Sequence, residues 1–353
     1  MKNSLPSLTQ KLEKKESLQP EEAAEAARDL AREEVEAGEK ESFLGALSQK
    51  SESPEEVAAF AEVFQGLARN PGLEKYAGEA IDVCGTGGDR QGTVNLSSMT
   101  ALLLASAGVK VFKHGNRSIT SKCGSAEFLE AVGFPLDLTN EELGRAMEEL
   151  GMVFFFAPQF HPAFKSIMPV RQKMAAAGQR TIFNLLGPLI NPGRPARQML
   201  GVYAPALLPL FREALERKGL ERGLVVHCRL PGRGGLDEIA TVGENQVGGV
   251  GTLATEEGVR GAGEWDLPEA SIEELRGGDL AKNRELFGAL LRGEAPGGLR
   301  DSLLLNAGHA FWVADRVATV KEGVALARQH LDEGHLAAYV ERVRAYFSDR
   351  RSA

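Results

Sequence analysis

The sequence predicts an α/β protein with a small N-terminal all-helical domain and a larger α/β domain, whose mostly parallel central sheet is flanked by helices. Three observations carry this. The first ~75 residues show only helical periodicity and helix caps. From Ile81 onward, short β-branched runs alternate with helix-length segments, and strand–helix–strand alternation means parallel strands joined by crossover helices. The glycine and charge clusters fall where strands should end, which is where open α/β sheets hold their ligands.

The elements follow in order. LQPEEAAEAARDLAREEVEAG, from Leu18, is a helix rich in alanine and glutamate. Ser53-Pro54-Glu55-Glu56 is a capping box with proline at the first helical position, and it opens PEEVAAFAEVFQGLA. Arg69-Asn70-Pro71-Gly72 breaks the pattern. A helical domain over 1–75, joined by a helical segment near 160–185, then gives way to an α/β domain over 80–353. In the latter, IDVCG, VKVFKHG, MVFFFAP, QMLGVYA and GLVVHCR read as strands. LSSMTALLLASAG, GSAEFLEAVG, TNEELGRAMEEL and FREALERKGL read as the helices between them, the third with its own capping box at Thr139 and Glu142. The last third is helical again, in GLRDSLLLNAGHAFWVA and VKEGVALARQHLDEG.

Bulk properties exclude several classes. The 353 residues are 43% hydrophobic and 25% charged, with a net charge of −8. An acidic balance argues against a nucleic-acid surface, which needs a basic face. No apolar run approaches the ~18 residues of a membrane span, and the start, MKNSLPSLTQKLEKKESLQPEEAAE, lacks the apolar core of a signal peptide. Cys84, Cys123 and Cys228 are widely spaced with no C-x-x-C pair, so neither a zinc site nor a disulfide framework is indicated. A cytoplasmic location is expected.

Four motifs carry chemistry. DVCGTGGDRQGTVNLSS, Asp82 to Ser98, follows a strand and opens a helix, so its backbone N–H groups can face an anion. It is no dinucleotide fingerprint, because Arg90 stands where the third glycine belongs. A plain strand-to-helix turn would not need Asp89, Thr93, Asn95 and Ser97. FKHGNRSITSKCGSAEF, Phe112 to Phe128, gathers Lys113, Arg117 and Lys122 with the hydroxyls of Ser118, Thr120, Ser121 and Ser125 around Gly115 and Gly124. Lysines act there as point charges and the arginine as a fork, whereas a solvated surface loop would need neither the glycines nor the hydroxyl spacing. GRGGLDEIA holds Asp237 and Glu238. On a strand they would point apart, but in a turn after Gly234-Gly235 they can converge, and Mg²⁺ is held by one or two carboxylates plus phosphates and water. Alone, the pair reads as a strand-start charge pair. FFFAPQFHPAFKSIMPVRQK surrounds Arg171 with apolar surface. That suits a flat aromatic acid, or a helix with one snorkelling arginine.

At these residues the sequence resembles the anthranilate phosphoribosyltransferases. GTGGD, the N-x-S helix start, KHGNRS, S-K-x-G-S-A, F-A-P-x-x-H-P, P-V-R, R-T-I-F-N-L-L-G-P-L-x-N-P and G-L-D-E occur in the family's order, over about Pro20 to about Phe347. The resemblance implies phosphoribosyl pyrophosphate and anthranilate as substrates, Mg²⁺ as two ions, and a homodimer through the helical domain. It implies that Gly85, Gly88, Asp89, Thr93, Asn95, Ser97, Ser98, Lys113 and Ser125 hold phosphoribosyl pyrophosphate. Ser97, Asp237 and Glu238 would hold Mg²⁺, and Asn116, Arg171 and the Gly85 backbone would contact anthranilate. The amine is already neutral at pH 7, so positioning and electrostatics should suffice, with His114 as a candidate proton acceptor.

Four departures stand out. Ser98 replaces a usual threonine, Arg90 a usual glycine and Cys123 a usual serine, and the segment after Arg171 runs a few residues long. The last borders the acceptor pocket. The alternatives are therefore a relative with another aromatic acceptor and a non-catalytic binding paralogue. A paralogue predicts eroded metal ligands, yet Ser97, Asp237 and Glu238 are present. A pyrimidine nucleoside phosphorylase of the same fold matches neither the KHGN loop nor Arg171.

Overall fold

The computed structural model describes residues 3–117 and 122–348. Ser118, Thr120 and Ser121 of the second loop lie outside the described residues. Four helices, Leu5–Glu13, Pro20–Ala31, Ala37–Lys50 and Pro54–Gly66, come first. The capping box forms as its spacing requires: Ser53 Oγ accepts from the Glu56 N–H and Glu56 Oε2 from the Ser53 N–H. The apolar faces of these helices share one core with Ile167, Val170, Met174, Ile182 and Phe183. The segment after the third strand therefore packs back onto the N-terminal helices.

The strands are β1 Ile81–Gly85, β2 Val111–Gly115, β3 Met152–Phe156, β4 Arg197–Gly201, β5 Arg222–Leu230, β6 Gly234–Leu236, β7 Glu244–Gly251 and β8 Glu257–Arg260. Their order is β3-β2-β1-β4-β5-β7-β8, with β6 also paired to β5. The run from β3 to β5 is parallel throughout. These strands are short and almost wholly buried, as a sheet covered on both faces demands. Helix Leu96–Ser106, the apolar run of the sequence, and helix Gly297–Val313 are buried along nearly all their length, as helices apolar all round must be. Among the described residues no helix is long and apolar enough to cross a membrane.

Two features of the sheet place the site. The chain lays β1, β2 and β3 in one direction and β4 and β5 in the other, so the strand order reverses between β1 and β4. A crevice opens at the carboxyl ends of strands at such a switch point. The second feature is the antiparallel edge, which the alternation in the sequence did not signal. β5 pairs with β4 only over Arg222–Val226, and its far end pairs with β6 over Cys228–Leu230. β6 thus continues the line of β4 and delivers Asp237 and Glu238 to the reversal. Gly234 and Gly235 stand in this strand, not in a turn. The two carboxylates converge because the strand ends there.

The packing of helix Val320–Asp332 on helix Gly297–Val313 depends on two glycines. A β-carbon on Gly308 would lie 2.6 Å from Val324 Cγ2, and one on Gly323 would overlap the Gly308 carbonyl. Gly323→Ala should therefore cost about 1–3 kcal/mol by overpacking, of which better helix propensity returns about 1. A urea midpoint equal to or above that of the parent would contradict this close approach.

Candidate active site

The first loop runs from Gly85 to the helix starting at Leu96. The Thr86 N–H donates to Gly201 O at 2.9 Å, and Thr86 Oγ1 accepts from the Tyr203 N–H at 3.2 Å, so the loop is stitched to the end of β4. The Gly87 N–H donates to Asp237 Oδ2 at 2.6 Å. Gly87, Gly88 and Gly92 have φ of +68°, +85° and +68°, a region that favours glycine. Arg90 sits at +59° and is exposed, so the usual glycine at this place has a backbone reason. On its other side the loop is clamped by a segment with no signal in the sequence. Thr93 bridges Arg276, the Val94 N–H reaches Leu275 O at 3.0 Å, and the Gly277 N–H reaches Gly92 O at 2.9 Å. Asn283, buried in helix Leu280–Leu291, accepts from the Asn95 N–H at 3.2 Å.

The second loop meets the first through Lys113. That side chain is 2% exposed. Its ammonium donates to Val83 O and, at 3.1 Å, to Ser97 Oγ. The Ser97 N–H in turn donates to Glu238 Oε1 at 3.0 Å. Asn95 Nδ2 donates to Cys123 O at 3.2 Å. The Cys123 sulfur lies in the main core, where burial pushes the thiol pKa up to about 11, so this departure from serine serves packing. Ser125 opens helix Ser125–Val132, and its hydroxyl donates to Asn116 O at 3.3 Å. A β-carbon on Gly115 would overlap that hydroxyl, which gives this glycine its purpose. Arg117 pairs with Glu130 at 3.3 Å and lies over the Phe156 ring, bracing the loop. Asn95 Oδ1 and Ser98 Oγ are buried without a hydrogen-bond partner. Ser98 lies behind Ser97, 1% exposed.

Asp237 lies against the carboxyl ends of β1 and β4. A β-carbon on Gly85 would overlap its carboxylate, and one on Gly201 would overlap its backbone. Burial raises the pKa of Asp237, of Glu238 and of Asp89; Asp89 adds to the effect on Asp237, and Asp237 to that on Glu238. Such a cluster is short of positive charge. The donor set fits Mg²⁺: Ser97 Oγ, Asp237 and Glu238 offer only hard oxygens, and one oxygen of each carboxylate is already oriented by a backbone N–H. No group of three or more His, Cys, Asp or Glu among the described residues could hold a metal alone. Water and a phosphate ligand would complete the shell.

Arg171 belongs to helix Met168–Ala176. Its guanidinium lies 5.6 Å from the Phe164 ring and 5.3 Å from that of Phe183, and it makes no ion pair among the described residues. Burial lowers its pKa. Ring contacts lead from Phe164 to His161 and on to His114 at the end of β2. His114 Nε2 is 3.2 Å from His161 Nε2, on the opposite face of β2 from Lys113. Burial lowers the pKa of His114 to about 3 and that of His161 to about 4. A nitrogen this reluctant to take a proton is a weak acceptor at neutral pH, and the placement makes His114 a packing partner of His161.

Other supporting residues carry no ligand chemistry in the sequence. Asn191 Nδ2 donates to Asp82 Oδ2 at 2.9 Å and to Phe112 O at 2.7 Å, tying β1 to β2. Arg180 stacks on Tyr203 at 4.6 Å. A cavity of about 280 Å³ beside Glu62 and Lys218 lies at the amino ends of the strands and contains none of the candidate residues.

A helical-bundle model, described as "Glycosyl transferase family, helical bundle domain", matches residues 6–68. A second, "Glycosyl transferase family, a/b domain", matches residues 77–337. An anthranilate phosphoribosyltransferase from Thermus thermophilus is 43% identical over 334 residues, 94% of this chain and 96% of that protein. One from Desulfitobacterium hafniense is 39% identical, covering 95% and 96%. A crystal structure of the Thermus thermophilus enzyme superposes with a TM-score of 0.86 at 42% identity, over 96% of this chain and 98% of that one. The Saccharomyces cerevisiae enzyme in complex with PRPP and Mg superposes with a TM-score of 0.84 at 21% identity, over 99% of both chains; that likeness is one of fold.

The buried His114–His161 pair makes a pH test. An unfolded histidine takes its proton near pH 6.5, whereas the folded rings resist it to about pH 4 and about pH 3. As pH falls below 6.5 the unfolded chain binds the extra protons, so stability drops by roughly 1.4 kcal/mol per pH unit for each ring. His161→Phe should remove about half of this pair's slope between pH 6.5 and 4. An unchanged slope in urea titrations would refute the burial of both rings.

Proposed function

The chain belongs to the anthranilate phosphoribosyltransferase family, and from this premise we propose that it transfers the phosphoribosyl group of phosphoribosyl pyrophosphate to the amine of anthranilate. The products are N-(5-phosphoribosyl)anthranilate and pyrophosphate, and the step belongs to tryptophan biosynthesis. The observation that carries this reading is the meeting of three groups at the strand-order reversal. The Gly85–Asp89 loop, the Lys113–Ser97 pair and the Asp237–Glu238 carboxylates all lie within a few hydrogen bonds of one another.

The allocation of roles follows the chemistry. The amine nitrogen of anthranilate bonds to ribose C1 as the bond from C1 to the pyrophosphate oxygen breaks, and the nitrogen then sheds its proton. Negative charge grows on the leaving group, and fixed donors aimed at it stabilise the transition state. Backbone N–H groups around Gly85 and Gly88 supply such donors, with Asp89, Thr93, Asn95, Ser97, Lys113 and Ser125 holding the rest of phosphoribosyl pyrophosphate. Ser98 joins through the helix start, its hydroxyl lying deeper. Mg²⁺, as two ions on Ser97, Asp237 and Glu238, would neutralise pyrophosphate oxygens. Arg171, in its aromatic cradle, suits the carboxylate of a flat acid, with Asn116 and the Gly85 backbone beside the amine. The amine needs no strong base, which agrees with the low basicity of His114. No covalent intermediate is required. A homodimer through the helical domain, which rests on resemblance, and a cytoplasmic location, which rests on the widely spaced cysteines, complete the reading.

Protein mixed with Mg²⁺, phosphoribosyl pyrophosphate and anthranilate should consume the anthranilate fluorescence. No loss of signal, with phosphoribosyl pyrophosphate still bound, would transfer the reading to another aromatic acceptor. Arg171→Ala should raise the anthranilate KM by roughly 10- to 100-fold, the worth of a charge-assisted hydrogen bond, with little effect on phosphoribosyl pyrophosphate. Asp237→Ala with Glu238→Ala should abolish Mg²⁺-dependent turnover. Equal weakening of both substrates by Arg171→Ala would break the allocation.

A further inference from the structure

Lys40 is the most deeply buried cation of the helical domain, 2% exposed within helix Ala37–Lys50. An ammonium group in such a place is costly unless hydrogen bonds replace its water, and burial lowers its pKa. Lys40 makes no ion pair among the described residues. Its Nζ donates instead to two carbonyls, Arg32 O at 2.6 Å and Ser166 O at 3.2 Å. The first closes helix Pro20–Ala31, whose carboxyl end favours a cation. The second lies 126 residues away in the chain. The Ser166 hydroxyl donates to Leu30 O at 3.1 Å, at the same helix end. Helix Met168–Ala176 starts two residues later, and the Arg171 N–H closes its first turn on Ile167 O.

The helix that carries Arg171 is therefore hung from the N-terminal domain, with Ile167, Val170 and Met174 in that domain's core. An apolar side chain could fill the Lys40 volume without the cost of a buried charge. What the charge adds is its hold on the Ser166 carbonyl. We propose that Lys40 is a positioning residue for the acceptor, setting the place of Arg171 through Ser166. This rests on the reading of Arg171 as the acceptor contact.

The test is Lys40→Met, alone and combined with Arg171→Ala, in the full-length protein. The expected result is an anthranilate KM raised roughly 10-fold by misplacement of the guanidinium, with kcat, the KM for phosphoribosyl pyrophosphate and Tm little changed. In the Arg171→Ala background Lys40→Met should then add nothing, because coupled residues are not additive. An unchanged anthranilate KM overturns the proposal, as does equal weakening of both substrates or full additivity. If Arg171→Ala itself leaves the anthranilate KM unchanged, the reading of Arg171 fails, and that outcome is visible without the lysine variant. Should Lys40→Met not fold, Lys40→Gln, which removes the ammonium that holds the Ser166 carbonyl and keeps a polar side chain, is judged on the same readouts.

Discussion

The carboxylate of Asp237, set against the carboxyl ends of the paired strands β1 and β4, is the constraint on which the site depends. It accepts the Gly87 N–H and so shapes the first loop. It permits no β-carbon at Gly85, and the Asp237 backbone permits none at Gly201. Its position comes from β6, a three-residue antiparallel strand that extends the line of β4. Its neighbour Glu238 holds the start of helix Leu96–Ser106 through Ser97, and Ser97 meets the ammonium of Lys113. One acidic strand end thus sets the spacing of both anion loops. The raised pKa values of the carboxylates are the electrostatic cost of that arrangement, which a divalent cation would offset.

The acceptor side has a different origin. Arg171 is carried by a helix whose apolar face belongs to the N-terminal core, while the phosphate loops belong to the sheet. The two bodies meet through rings, from Phe164 to His161 to His114, and through Gln65, which donates to the Asn191 carbonyl. Under the proposed allocation the acceptor lies between the domains, so its affinity is separable from that of the phosphoribosyl donor. The reading of a metal-dependent transferase is also easier to hold than that of a binding paralogue. A paralogue has no need to bury two carboxylates beside Ser97, each oriented by a backbone N–H.

The departures from the family pattern resolve unevenly. Cys123 fills core volume and keeps its carbonyl on Asn95. Arg90 occupies left-handed backbone that glycine takes at lower cost. Arg117 is tied to Glu130 and Phe156, so of the cations that crowd the second loop in the sequence, Lys113 is, among the described residues, the one joined to the centre. His114 adjoins Lys113 in sequence, but the alternation of a strand turns it to the other face.

By itself the sequence determined the helical start, the parallel alternation and the two anion loops. These are written in local terms: capping boxes at Ser53 and Thr139, β-branched runs, and glycines where φ must be positive. It also held the identities of Asp237 and Glu238, though not the reason they matter. Only the tertiary structure decided that β6 would bring them to the strand-order reversal: the β5–β6 hairpin is local, but what it reaches is set by the pairing of β5 with β4, which is non-local and leaves no periodic trace. The clamp by Leu275–Gly277 and Asn283, the tie from Asn191 to Asp82, and the suspension of the Arg171 helix from Lys40 are likewise contacts between distant segments. Each uses an ordinary backbone carbonyl, amide or buried polar side chain, and what makes it part of the site is the partner the fold sets opposite.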